Sequence, residues 1–272
     1  MRRIVMAVIV VAVLSVVPAA SVSASASASA QPLLLVPAYF SATGTPNPWD
    51  TMCGAMNQAG SGSVAILNPD NGPGRKANPD YAAALSYCHL EGQRVIGYVY
   101  TKYAKRPIAK VEADIDKYFS FYPTIDGIFL DNMAQVPTGK ASCRGCKMTT
   151  ATYYSTLYSY VHSKAPGMEV IGNPGDPAST PWQLTTPVAD AVVIFEGSSA
   201  TYESFKPPSW VQQVPPDQIA NIVYAAPSSA LASDCALATV DGAGLVYVTD
   251  LALKPDPYEA LPSYWTTETA TC

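Results

Sequence analysis

The chain has 272 residues with 16 basic and 21 acidic side chains, a formal net charge of −5, and 49% hydrophobic residues. That balance suits a folded protein and disfavours nucleic acid or anionic membrane surfaces as partners. With only two histidines present, histidine-centred chemistry has few residues to draw on.

Residues 1–30 open with Met1-Arg2-Arg3, continue through apolar Ile4 to Val17, and pass after Pro18 into a repeat of alanine and serine ending at Ala30. This is the pattern of a secretory signal peptide, cleaved between Ala24 and Ala30. Its apolar core is shorter than the ~20 residues of a membrane span. Residues 31–272 are therefore expected to be secreted to the extracellular space as a soluble monomer. They carry 14 basic and 21 acidic residues, a net charge of −7. About 240 residues without a Gly/Ser or Pro-rich linker fit one α/β barrel domain.

In chain order, Leu33 to Phe40 reads as the first strand and Pro48 to Gln58 as the first helix, with Asn47 as cap and Pro48 in its first turn. Ser63 to Asn68 forms the second strand and ends in the turn-rich Asn68-Pro69-Asp70-Asn71-Gly72-Pro73-Gly74, before a helix from Pro79 to Glu91. Arg94 to Thr101 is the third strand. Pro107 to Tyr122 follows as an amphipathic helix, with Ile108, Val111, Ile115, Tyr118, Phe119 and Tyr122 at helical spacing. The fourth strand, in Ile125-Asp126-Gly127-Ile128-Phe129-Leu130-Asp131-Asn132, is an apolar run stopped by a carboxylate. A helix over Thr152 to Ser163, a strand over Glu169 to Asn173, and a sixth strand over Asp190 to Glu196 come next. The last repeats the plan of the fourth. Ile219 to Ala225 and Gly244 to Thr249 are strands seven and eight, with helices at Ser229 to Thr239 and Pro257 to Trp265.

Apolar strands alternating with helices require a parallel sheet with right-handed crossovers, and eight of them predict the α/β class and a single (β/α)8 TIM-type barrel. An open doubly wound sheet is the alternative. In a barrel the carboxyl ends of the strands share one rim, which would carry Tyr39, Asn68, Tyr98, Tyr100, Asp131, Asn132, Asn173, Glu196, Tyr224 and Asp250. Acids, amides and tyrosines together make a sugar site: amides bond hydroxyls and aromatic faces stack on pyranose rings. His89 and His162 fall inside predicted helices outside the barrel, so zinc hydrolysis and Ser-His-Asp catalysis lose their central residue. No metal and no cofactor is expected.

What remains is carboxylate chemistry. Glycoside hydrolysis needs two carboxyl groups of different protonation flanking the scissile bond, and Asp131 and Glu196 meet this by strand position. For Asp131 and for Asp250 the competing reading is a helix cap or a loop bond. Six cysteines in an exported chain predict disulfides rather than a thiol nucleophile. Fifteen connectivities are open, and chain order favours Cys53 with Cys88, Cys143 with Cys146, and Cys235 with Cys272.

Several of these motifs, in this order along the chain, resemble the spherulin 4 (spherulation-specific family 4) proteins: Asn68 to Gly74, Gly97-Tyr98-Val99-Tyr100-Thr101 followed by Arg106-Pro107, Asp126 to Asp131, Asn173-Pro174-Gly175, Phe195-Glu196, and Pro262-Ser263-Tyr264-Trp265. The resemblance spans the mature chain. It implies a (β/α)8 barrel related to endo-α-1,4-polygalactosaminidases, secreted glycosidases acting on galactosamine-containing exopolysaccharide, with Asp131 as nucleophile and Glu196 as acid/base. Active members commonly carry Asp-Glu at the end of the fourth strand, where this chain has Asp131-Asn132. An amide can neither donate such a proton nor act as a base. The expected function is a retaining glycosidase of amino-sugar polysaccharide. The alternative is a catalytically weak barrel that binds polysaccharide or serves the cell envelope.

Overall fold

Eight short apolar runs hydrogen-bond to one another in chain order, and the eighth returns to the first. The structure, a computed structural model, describes residues 31–143 and 145–272; the expected signal peptide lies outside the described residues. The strands are β1 (Leu33–Ala38), β2 (Val64–Leu67), β3 (Arg94–Tyr100), β4 (Gly127–Asp131), β5 (Glu169–Asn173), β6 (Ala191–Ser198), β7 (Ile219–Tyr224) and β8 (Leu245–Val248). All eight pairings are parallel, and the closed barrel leaves no free sheet edge.

The helices are α1 (Pro48–Met56), α2 (Pro79–Leu90), α3 (Ile108–Phe121), α4 (Thr150–His162), the single turns α5 (Trp182–Thr185) and α6 (Ser199–Tyr202), α7 (Leu231–Val240) and α8 (Trp265–Thr271). Asn47 and Asn78 accept from the amides of Trp49 and Asp80, each just before a proline at the first helical position. In α3, Val111, Ile115 and Tyr118 form the buried face, and the Tyr118 hydroxyl donates to the Leu67 carbonyl.

Helices dock on strands where the strand offers no side chain. A Cβ on Gly97 would lie 2.7 Å from the Tyr118 ring, and one on Gly172 would lie 2.6 Å from Met133 Sδ. Both glycines therefore face away from the barrel interior, Gly97 toward α3 and Gly172 toward the loop that follows β4. By the two-residue alternation of a strand, Tyr98 and Asn173 face the barrel interior.

The amino-terminal end of the barrel is closed by polar side chains that meet in pairs. Asp126 accepts the Val95 amide at 2.7 Å and sits 2.8 Å from His89 Nε2. Asp190 accepts the Val170 amide at 2.8 Å and lies 3.3 Å from His162 Nε2. Arg94 reaches from β3 to Glu169 of β5 at 2.6 Å. Both histidines thus lie at helix ends on the face of a barrel that serves stability.

Three features depart from the sequence-based expectation. The closing helix is α8, at Trp265–Thr271, not Pro257 to Trp265. The Tyr258 carbonyl accepts the Tyr39 amide at 3.2 Å, so the segment between Pro257 and Pro262 spends its bonds on the barrel rim instead of on a helix. The cysteine loop contains a small antiparallel ribbon, Lys140–Ala141 with Met148–Thr149. Beyond β6, a stretch to which the sequence analysis assigns no element, lie α6 and two 3-10 turns (Ser209–Gln213 and Pro216–Gln218).

The structure joins the cysteines as chain order favours. Cys53–Cys88 ties α1 to α2, Cys143–Cys146 closes the ribbon loop, and Cys235–Cys272 ties α7 to the last residue. The separations of 35 and 37 residues correspond to about 4 kcal/mol each in the chain-entropy model, against about 2 kcal/mol for the short loop. Denaturant titration should therefore find Cys235→Ser/Cys272→Ser much less stable than Cys143→Ser/Cys146→Ser. Equal losses would contradict the loop-length account.

Glu268 is fully buried and accepts the Val248 amide at 2.7 Å through one oxygen, while the other has no partner among the described residues. Burial pushes its carboxyl well above the ordinary value, opposed by the Val248 bond and assisted by the charge of Asp250. A raised folded-state value contributes stability that is fully present below the unfolded value, about 4.3, and is lost as pH rises through the folded one. Glu268→Gln removes this dependence. Its melting temperature relative to the parent should rise steadily from pH 4 upward, and a constant difference would show that Glu268 is not the group responsible.

Candidate active site

The carboxyl ends of β4, β5 and β6 place three inward side chains side by side. Asp131 is the last residue of β4, and Asn173, the last of β5, is its direct ladder partner. Glu196 of β6 owes its direction to an irregularity. Val193 pairs with Ala220 and Phe195 with Asn221, so Ile194 is an extra residue on β6. Phe195 packs outside the barrel on Tyr202 and Phe205, as Asn221 does through its amide bond to Tyr202 at 2.7 Å. Glu196 therefore points inward, level with Ile222. A regular strand would have set it opposite outward-facing Val223. Bulges beside sites re-aim side chains in this way.

One nitrogen holds the two acids together. Asn173 Nδ2 donates to Asp131 Oδ1 at 3.0 Å and to Glu196 Oε2 at 2.7 Å. Its own oxygen accepts the Gly175 amide at 2.9 Å, which fixes the amide's orientation. With the two N–H bonds opening at ~120°, the joined oxygens lie about 5 Å apart.

Asp131 also accepts the Tyr98 hydroxyl at 2.7 Å and the Asn132 amide at 3.0 Å, both on Oδ2. Three donors converge on it, the bonding of a group that only accepts. Glu196 receives one further donor, the Tyr258 hydroxyl on Oε1 at 2.6 Å. Burial pushes the Glu196 carboxyl upward, against the bonds from Asn173 and Tyr258 that pull it down, and the charges of Asp131 and Asp256 add to the rise. The phenols of Tyr98 and Tyr258 are pushed upward too, by burial first and by the neighbouring acids second. Both stay protonated donors at neutral pH.

Tyr39 stands between these phenols, its ring edge-on to Tyr98 at 5.5 Å and to Tyr258 at 5.4 Å between centroids. The three rings form an arch whose outer hydroxyls each grip one carboxyl group. Beside it a cleft of about 310 Å³ is lined by Tyr39, Asn68, Asn71, Tyr98, Asp256 and Tyr258, with Leu253, Pro255 and Pro257 at its edge. The Asn68 oxygen accepts the Gly72 amide at 2.7 Å and so shapes the loop that makes one wall.

Backbone strain gathers on the same rim. Asn132 has a φ of 50°, and Lys102, Tyr103 and Ala104 have φ of 54°, 53° and 61°. Left-handed backbone costs roughly 1–2 kcal/mol per residue, and close bonds hold it here. The Asn132 carbonyl accepts the Tyr103 amide at 2.6 Å and the Thr101 hydroxyl at 2.8 Å, and the Ala104 carbonyl accepts the Ser142 amide at 2.7 Å. Asparagine is among the residues that tolerate this conformation best.

Of the residues singled out in the sequence, Asp131, Asn132, Asn173, Glu196, Tyr98 and Tyr39 form one connected group, and Asn68 lines the cleft. Tyr100 is half-buried one ladder step from the group, opposite Asp131, and its carbonyl accepts from Arg106. Tyr224 ends β7 opposite Ser198. Asp250 lies outside the cleft lining, its two oxygens taken by the amide and hydroxyl of Ser263, the loop-bond role. Tyr258, Asp256 and Asn71 were not singled out. The Asn68 to Gly74 motif contained Asn71, but Tyr258 was hidden inside an expected helix.

The sequence profile of spherulation-specific family 4 matches residues 33–272. Spherulin-4 of Physarum polycephalum is 31% identical over 246 residues, covering 86% of this chain and 68% of that protein. Among solved structures, Aspergillus clavatus Sph3 in complex with GalNAc is similar with a TM-score of 0.71 and 25% identity, over 89% of this chain and 97% of that one. The α-N-acetylgalactosaminidase NagBb of Bifidobacterium bifidum, at 9% identity and a TM-score of 0.51 over 87% of this chain and 48% of its own, shares the fold.

Proposed function

The chain belongs to spherulation-specific family 4, and from that membership we propose that it is a secreted glycoside hydrolase that cleaves galactosamine-containing polysaccharide with retention of configuration, through Asp131 and Glu196. The observation that carries this reading is the shared amide of Asn173, whose bonds to both acids keep the joined oxygens within the sum of the two bonds, 5.7 Å, which suits a retaining enzyme better than the roughly 6.5–9.5 Å of inverting ones. The likeness to Sph3, solved with GalNAc, supports a sugar of that class as ligand.

The geometry serves both halves of a double displacement. In this reading a pyranose enters past the tyrosine arch, whose Tyr98 and Tyr258 bond the two acids, and its anomeric carbon comes to lie between them. Glu196, its carboxyl raised by burial, gives its proton to the glycosidic oxygen as the C–O bond breaks, while the Asp131 carboxylate forms the new bond to carbon. The departed sugar leaves space for water. Glu196, now ionised, takes a proton from that water, whose oxygen attacks the anomeric carbon and releases Asp131. Asn132 fills the position of the resembling family's second acid with a donor to Asp131, so in this reading it orients the nucleophile and no third ionisable group is required.

Product analysis on α-1,4-linked galactosamine oligosaccharides, acetylated and de-N-acetylated, tests this. Asp131→Asn and Glu196→Gln should each lower kcat by at least about a hundredfold with little change in melting temperature. Near-full activity in either would remove that residue from the mechanism. NMR of the wild-type reaction should show the first-formed anomer with the configuration of the cleaved bond, and the opposite anomer would refute retention.

A further inference from the structure

Glu196 has two oxygens, and the proposed reaction requires that its proton sit on the one facing the scissile bond. Resting on the glycosidase reading above, we propose that Tyr258 is a positioning residue that selects this oxygen: its hydroxyl, bound to Oε1, makes Oε2 the oxygen that carries and delivers the proton.

Among the described residues Glu196 has two side-chain partners, Asn173 on Oε2 and Tyr258 on Oε1. A neutral carboxylic acid has one carbonyl oxygen, the better acceptor, and one hydroxyl oxygen. The Tyr258 phenol is buried, 7% exposed, and its hydroxyl has no other acceptor among the described residues. Were the Glu196 proton on Oε1, pointing at Tyr258, the phenol hydrogen would be left without a partner in a buried site, at a cost of about 1–3 kcal/mol. The phenol therefore donates, Oε1 is the carbonyl oxygen, and the proton resides on Oε2. That oxygen lies on the Asp131 side, about 5 Å from Oδ1 across Asn173, where the glycosidic oxygen must sit.

The donor is held from outside the strands. The Tyr258 amide donates to Asp256 Oδ1 at 2.9 Å, its carbonyl accepts the Tyr39 amide, and its ring meets Tyr39 and Tyr247. The charged and titratable groups around Glu196 are Asp131 of β4, Tyr98 of β3, Tyr39 after β1, and Asp256 with Tyr258 after β8. Of these, Tyr258 alone bonds the acid directly. Its hydroxyl favours the ionised form, so removing it raises the pH at which Glu196 loses its proton.

Tyr258→Phe keeps the ring and deletes the hydroxyl. Its kcat/KM, which covers the steps up to the glycosyl-enzyme, should be measured on a galactosamine oligosaccharide, whose sugar leaving group needs protonation, and on the dinitrophenyl glycoside of the same sugar, whose leaving group does not. We expect kcat/KM to fall about tenfold or more on the oligosaccharide and by a clearly smaller factor on the aryl glycoside, where the loss reports sugar binding alone, with its alkaline limb moved upward by about 0.5 to 1 in pH. Equal losses on both substrates, or wild-type turnover with an unmoved limb in the variant, would overturn the proposal while leaving the glycosidase reading intact. A wild type inert on both substrates would overturn the glycosidase reading and the delivery step with it. Carbon-13 NMR titration of the Glu196 carboxyl, identified by its loss in Glu196→Gln, gives a readout free of turnover. It should move upward in Tyr258→Phe, and an unchanged titration would overturn the proposal.

Discussion

An amide nitrogen that donates to two carboxyl groups at once is an unusual thing to bury, and the carboxyl-end rim of this barrel is arranged around one. Asn173 is 4% exposed, and its nitrogen has two hydrogens, each spent on a different acid. Two acids about 5 Å apart repel when both are charged, and the repulsion grows in a site that excludes water. The bridging donor lowers that cost and sets the spacing. It can do so because β5 lies between β4 and β6 in the closed sheet, so a short side chain at its end reaches both neighbours. The Gly175 amide on the Asn173 oxygen prevents the amide from flipping, which would turn an acceptor toward both acids.

The supporting layers follow from this constraint. Inward Asn173 requires outward Gly172, and the absent side chain there is what lets Met133 pack. Inward Tyr98 likewise follows outward Gly97, whose bare backbone admits the Tyr118 ring of α3. The opposite end of the barrel, with its Asp126 and Asp190 caps on strand amides, holds the register on which these facings depend. Register matters because a slip of one residue exchanges the two faces of a strand.

Much of this was legible in the sequence because it rests on composition and order. Eight apolar runs between helical patterns specify a parallel barrel, and a polar residue ending such a run stands out, as Asp131, Asn173 and Glu196 do. The tyrosine that bonds Glu196 was not legible. Tyr258 lies between Pro257 and Pro262, and the spacing of Tyr258, Leu261, Tyr264 and Trp265 imitates a helix. Its real partners, Tyr39 and Glu196, are distant in the chain, and no local pattern reports them. The facing of Glu196 was hidden for another reason. Ala191 to Phe195 is apolar throughout, as a strand covered on both sides should be, and a run without alternation carries no record of which face each residue takes.

The extra residue in β6 therefore holds information that composition does not. Ile194 is apolar and buried, so by chemistry it is interchangeable with its neighbours. By counting it is not. A chain shortened by that one residue would keep Asp131, Asn173, Glu196 and Tyr258 and every motif around them, yet in a regular β6 the acid would turn outward toward the helices. In this chain the count of positions in the sixth strand, rather than their letters, therefore decides whether the glutamate that follows belongs to the rim.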